Sequence, residues 1–134
     1  MTQYLSDQEN HVDVLLIVED PGAANFMMEL PAVLGEAKIT YCMLAYNHAR
    51  KFLDDRGIGY CTPSPEDSPS NILEEFQPCV LLVGTSQNPS SISLALVKEA
   101  RKVGMVTAGF IDMAVDANLR FQGDSNNPLE YAPE

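Results

Sequence analysis

Basic residues are scarce in this chain. Eight lysines and arginines stand against nineteen acids, for a formal net charge of −11. Binding along a nucleic-acid backbone needs a cationic footprint, and no Lys/Arg stripe supplies one, so no nucleic-acid partner is expected. Cysteine is sparse too. Cys42, Cys61 and Cys79 are odd in number and far apart, with no CxxC pair and no Cys/His ligand spacing. No metal centre is therefore expected. Free cysteines in or beside strands, as Cys42 and Cys79 are, read as small core residues and suit a reducing cytoplasm. No apolar run approaches the ~20 residues that a membrane span needs. The segment Met1–Asn10 is polar and lacks the charged-then-apolar pattern of a secretory leader, so a cytoplasmic location is expected. Two phosphate-binding signatures are also missing. There is no G-x-G-x-x-G spacing and no Gly-Lys-Ser/Thr after a glycine loop. No cofactor is expected.

What is present is a globular pattern. The 134 residues are 46% hydrophobic and 20% charged, enough to build one core. Apolar runs alternate with amphipathic stretches. Strands are predicted over 12–18, 38–44, 58–61, 80–83 and 105–111. Helices are predicted over 24–34, 47–56, 71–76 and 91–103. Pro31 either kinks the first helix or marks a second start. Asn47 is the expected N-cap of the second, and Gly57 fits the position just past its end. Ser70 or Asn71 is placed at the start of the third, and Ser90 or Ser91 at the start of the fourth.

Strict alternation of strand and helix gives an α/β class, a three-layer α-β-α sandwich on a parallel sheet of about five strands. The first and fourth strands are the most apolar and belong at the centre. The expected order is 3-2-1-4-5, which is Rossmann-like. Residues 1–112 form this domain. Residues 113–134 carry little periodicity and read as an irregular arm leading toward a second domain. Val115, Leu119, Phe121, Leu129 and Tyr131 on that arm would be partly exposed, which predicts a homodimer formed through it.

In such a sheet, ligands bind outside the carboxyl ends of the strands, where the strand order reverses. Two loops meet there. The first is Glu19-Asp20-Pro21-Gly22-Ala23-Ala24-Asn25 after strand one. Its glycine and alanines permit close approach of a ligand to the backbone. The second is Gly84-Thr85-Ser86-Gln87-Asn88-Pro89-Ser90-Ser91, almost wholly hydroxyl and amide groups suited to a sugar or phosphate. Asp112, directly after strand five, is the better-placed carboxylate for general-base work, ahead of Asp116. Asp20 and Asp112 are the candidate catalytic residues. Gly22, Ala23, Asn25, Gly84, Thr85, Ser86 and Asn88 are the candidate ligand-binding residues. His48 reads as a surface residue at the start of a helix, and no Ser/His/Asp spacing supports a triad.

The acidic pair in "LLIVED" also resembles the metal-binding pair of phospho-receiver domains. A receiver carries an aspartate at the end of a later central strand, where this chain has Gly84, and the lysine expected after strand five is missing. A degenerate receiver-like, non-catalytic module is the alternative that remains.

Three segments together, "VEDPGAANF", "VLLVGTS" and "GFIDMAVDANLRF", carry a further resemblance. The combination resembles the N-terminal Rossmann-like half of bacterial two-domain (GT-B-type) glycosyltransferases, among glycosyltransferase-like, polysaccharide-biosynthesis and lipid-disaccharide-synthase-like proteins. Asp112, Asn118, Arg120 and Phe121 stand at the matching places of an "NxRxRF"-like stretch. That family pattern carries a Trp which this chain lacks. The resemblance covers about residues 12–133 and implies an acceptor-binding half that works with a donor-binding half. Asp20, Gly22, Asn25, Thr85, Ser86 and Asp112 would then line the cleft and meet a sugar or sugar-nucleotide ligand. It also implies that this half is inactive alone.

Overall fold

Val14–Val18 forms the central strand β1, and every residue after Val14 in it is buried. A continuous run of branched apolar residues fits only a strand covered on both faces. The computed structural model describes residues 11–86, 88–112 and 116–132, without the side chain of Asn118. Strands β2 (Tyr41–Ala45), β3 (Val80–Gly84) and β4 (Val106–Phe110) join β1 in a parallel sheet of order β2-β1-β3-β4. Val14 lies opposite Tyr41 on one side and Val80 on the other, and Val80 lies opposite Val106. The two most apolar runs are central, as expected.

The strand expected over 58–61 shrinks to a single bridge, Cys61 opposite Leu44. The Cys61 amide donates to the Met43 carbonyl at 2.8 Å, and the Ala45 amide donates to the Cys61 carbonyl at 3.1 Å. Gly57, at φ +65°, and Gly59 precede the bridge. Pro63 and Pro65 follow it and bring no amide to extend a ladder. The sheet thus has four strands, not five. With the bridge taken as its outermost rung, the order matches 3-2-1-4-5.

Successive residues of β1 point to opposite faces. Leu16 and Val18 meet helices α1 (Pro21–Met27) and α3 (Asn47–Asp54) through Ala23, Ala24, Met27, Ala49 and Leu53. Leu15 and Ile17 meet α4 (Pro69–Phe76) and α5 (Ile92–Lys102) through Ile72, Phe76, Leu96, Val97 and Ala100. The chain is an α/β domain with helices on both faces of a parallel sheet.

Several local expectations are corrected. The helix expected over 24–34 is two helices, α1 and α2 (Leu30–Glu36), and Pro31 sits in the first turn of α2, where no amide is lost. Asn47 does not cap α3. Tyr46 holds that place, and Asn47 is the first helical residue at φ +48°, a region asparagine tolerates better than most residues. Ser68, not Ser70 or Asn71, caps α4 by accepting from the Asn71 amide at 3.2 Å. Of the two serines expected before α5, Ser91 is the cap. Cys79 is exposed rather than core, because it precedes β3 and joins the sheet only through its amide, bonded to the Asp13 carbonyl. Cys42 is buried, and burial, reinforced by Cys61 beside it, pushes its thiol far above the ordinary value. It is a core residue and not a nucleophile.

The arm is compactly knotted. A 3-10 turn spans Ala117–Leu119, and Arg120 and Tyr131 are buried. The Tyr131 amide donates to the Phe121 carbonyl at 2.9 Å, and Arg101 of α5 donates to the Glu130 carbonyl at 2.8 Å. Leu119 and Leu129 are exposed at 39% and 64%. Val115 and the side chain of Asn118 lie outside the described residues. Among the described residues, no helix is long and apolar enough to cross a membrane.

A reciprocal clip sets the starts of β1 and β2 side by side. Thr40 donates to the Asp13 carboxylate through both its amide and its hydroxyl, each at 2.8 Å, and the Asp13 amide donates back to Thr40 Oγ1 at 2.8 Å. The Thr40 hydroxyl, then its amide, holds the Asp13 carboxyl below the usual carboxylate range. A pKa lowered in the folded state stabilises the fold above the unfolded value, about 3.9. That contribution disappears as pH falls through the lowered value. In urea unfolding from pH 7 to pH 2, Asp13→Asn should lower stability at neutral pH and flatten the acid limb of the profile. An unchanged acid limb would show that the clip does not titrate.

Candidate functional site

The order β2-β1-β3-β4 reverses chain direction between β1 and β3, and their carboxyl ends open there. The turn after β1, the loop after β3 and the end of β4 converge on that rim. The convergence is as the sequence predicts, but the chemistry at several positions is turned inward.

Glu19 is 5% exposed. Its carboxylate accepts a short hydrogen bond from the Ser91 hydroxyl and further bonds from the amides of Ile92, at 3.0 Å, and Ser93, at 3.3 Å. A carboxylate at a helix N-terminus satisfies orphan amides and favours the helix dipole. The Glu19 carbonyl also accepts from the Ala49 amide of α3 at 3.2 Å. Sequence reasoning missed this role. Its signal was an acid one residue past a doubly buried strand together with a Ser-Ser start to a later helix. Nearby, burial, and then the charge of Glu19, pushes the Tyr46 hydroxyl far above its ordinary value. That hydroxyl is buried without a hydrogen-bond partner.

Asp20 is the N-cap of α1 and accepts the Ala23 amide at 2.9 Å. One carboxylate oxygen is thereby committed to the backbone. Ala23 is 2% exposed and packs against Gly84. A Cβ at Gly84 would fall 2.3 Å from the Ala23 Cβ, so α1 can reach β3 only across a glycine. Thr85 is 1% exposed, and its hydroxyl donates to the Phe110 carbonyl at 2.7 Å. Its amide donates to the same oxygen at 3.1 Å. Gly84, Ala23 and Thr85 thus serve first to lock α1, β3 and β4 together.

The groups left near the surface are fewer. Asn25 is exposed on α1, Asn88 is exposed and Ser86 is half-buried. Ser86 Oγ accepts the Asn88 amide at 3.1 Å, and Asn88 Oδ1 accepts the Ser90 amide at 3.0 Å, so the loop is braced by its own side chains. His48 is exposed.

Asp112 lies directly over Gly22. A Cβ on Gly22 would fall 1.9 Å from Asp112 Oδ2 and 3.5 Å from Asp20 Oδ1. The two candidate catalytic carboxylates therefore flank one glycine. Arg120 of the arm approaches Asp112 Oδ1 at 3.4 Å, with side chains 10% and 17% exposed. Both Asp112 Oδ1 and Arg120 Nε are buried without a hydrogen-bond partner. An ion pair this sheltered, with unsatisfied atoms on each side, is held by its surroundings rather than by ideal geometry. Phe26 adds an exposed aromatic face at the same rim, its ring centroid 4.6 Å from that of Phe110.

Comparison with known proteins gives the fold. No family model matches the chain, and no curated protein matches it. Among solved structures, UDP-N-acetylglucosamine 2-epimerase is similar at a TM-score of 0.54 and 13% identity. The match covers 74% of this chain and 31% of that one, so the chain corresponds to under a third of the neighbour's length. The class established is a Rossmann-like α/β domain.

Two substitutions test the architecture of the rim. Glu19→Ala leaves three buried donors without their acceptor and should cost about 3 kcal/mol in urea unfolding. Gly84→Ala should cost about 1–3 kcal/mol by overpacking. The double change Gly84→Ala with Ala23→Gly should recover part of that loss, and simple additivity would contradict the contact.

Proposed function

We propose that the chain is the acceptor-binding half of a sugar-nucleotide-dependent glycosyltransferase-like protein. In this reading it holds a sugar or sugar-nucleotide ligand at the ends of β1, β3 and β4 and acts with a donor-binding half. The observation that carries the reading is the placement of the Asp112 and Asp20 carboxylates on either side of Gly22 at the strand reversal. A carboxylate over the start of a helix is what a sugar hydroxyl needs, since it accepts the hydroxyl proton, and Gly22 is what lets Asp112 sit there.

In transfer, Asp112 is the general base. It takes the proton from the acceptor hydroxyl as that oxygen attacks the anomeric carbon of the donor, whose bond to the nucleotide phosphate breaks, the nucleotide leaving with that electron pair into the donor-binding half. Asp20 stands beside it with one oxygen bound to the helix start. Gly22, Ala23 and Gly84 keep the wall thin, and Thr85 fixes the floor. Ser86, Asn88 and Asn25 offer polar contacts around the opening. Likeness in fold to an enzyme named for a sugar nucleotide supports the same ligand class. The receiver-like alternative fares worse. At the end of β3, where a receiver needs an acid, the Gly84 backbone is packed on Ala23 and leaves no room for a side chain.

The test is a titration with UDP-N-acetylglucosamine, whose ring hydroxyls serve as the acceptor probe, followed by amide NMR. Saturable shifts at Gly22, Ser86 and Asp112 are expected, and Asp112→Asn should weaken binding at least tenfold, about 1.4 kcal/mol. Silent amides at the rim, or an affinity untouched by Asp112→Asn, would refute the reading.

A further inference from the structure

Where the arm folds back against α5 it leaves a cleft of about 290 Å³, lined by Ser90, Leu94, Lys98, Asp124 and Tyr131 among others. This is at the small end of ligand cavities, which run from about 300 to 1,000 Å³. It suits one ring rather than a whole nucleotide sugar. The wall contributed by the arm is purpose-built. Gly123 sits at φ +57°, and a Cβ there would fall 2.4 Å from Tyr131 Cε2. Only glycine lets the tyrosine ring lie flat against that turn and carry its hydroxyl to the Asp124 carboxylate, to which it donates. The opposite wall comes from α5, where Lys98 is exposed.

We infer that this cleft between α5 and the arm is a subsite for a single neutral sugar ring. Its two charges are opposed across it. Lys98 adds a small share to the lowering of the Asp124 pKa, after the Tyr131 hydrogen bond, and no ion pair between the two is seen among the described residues. An anionic ligand would meet Asp124 and a cationic one would meet Lys98. A polyol satisfies both, giving hydroxyl protons to the carboxylate and accepting from the ammonium group. The hydrogen bond from Tyr131 lowers the Asp124 pKa and raises the tyrosine's, so both keep these forms at neutral pH. Pro89 and Ala95, with the edge of the Tyr131 ring, give the apolar face against which the C–H side of a sugar packs. Ser90 belongs to the loop that ends at Ser91, the residue bound to Glu19, so the cleft begins where the rim of the sheet ends. The inference deepens the sugar-binding reading above and rests on it for ligand class.

The experiment is amide NMR on the full chain with glucose, galactose and mannose as free probes, followed by the nucleotide sugar. At least one free sugar should shift Ser90, Leu94, Lys98 and Tyr131 saturably. Lys98→Met changes an exposed side chain and Tyr131→Phe keeps the ring, so both variants should retain the wild-type thermal midpoint within a few degrees. Each should weaken the free sugar at least fivefold. Silence of these residues toward all three sugars, or shifts indifferent to both cleft variants, would overturn the inference. Rim shifts with the nucleotide sugar but none in the cleft would sink the subsite and spare the rim. The reverse pattern would sink the rim and keep the cleft.

Discussion

The carboxylate of Glu19 is the fixed point of this molecule. It leaves the central strand, enters the interior and closes the N-terminus of a helix whose first residue lies 73 positions later. Through its carbonyl it also holds α3 on the other face of the sheet. A buried carboxylate is tolerable only when both its oxygens are hydrogen-bonded. Here the donors are the Ser91 hydroxyl and two helix amides, so the acid that would be costliest to bury joins both helical layers to β1.

With that anchor set, the rim is shaped by glycine. Gly84 admits α1 onto β3, and Gly22 admits Asp112 over the first turn of α1. Thr85 then ties β3 to the last carbonyl of β4. The rim is therefore a stiff surface from which two carboxylates, a few amide and hydroxyl groups and the Phe26 ring emerge. Arg120 brings the arm to this surface through Asp112, and Tyr131 and Asp124 extend polar chemistry along α5.

Much of this was legible in the sequence because it depends on patterns. The runs 14–18 and 80–83 are apolar without interruption, which sets them at the centre of a parallel sheet. The glycines after α3 and α5 mark helix ends by their positive φ. What escaped depends on contacts between distant residues. Glu19 and Asp20 look alike in sequence, yet one is buried under α5 and the other caps α1. Thr85 and Gly84 read as ligand groups because a polar residue or a glycine at a strand end has the same appearance whether it faces a ligand or a neighbouring strand. Ser68 is hidden as a cap because Pro69 after it resembles a loop proline, although proline fits the first helical turn. The arm looked formless because its order comes from Gly123, Asp124 and Tyr131 closing on one another, a pattern with no period.

The sheet order also has a consequence for the nascent chain. Of the four strands β1 is made first, and it waits longest for a neighbour, because its second one, β3, is 66 residues further on at matching positions Val14 and Val80. At about 5–20 residues per second, roughly 3–13 s of synthesis separate the two strands. Throughout that interval Val-Leu-Leu-Ile-Val has one covered edge at most, and Glu19 has no helix to cap. The most apolar segment of the protein is thus the one that waits longest for its partner. During synthesis, contact with the ribosome surface or a chaperone falls to β1, while the mature fold gives no outward sign of it.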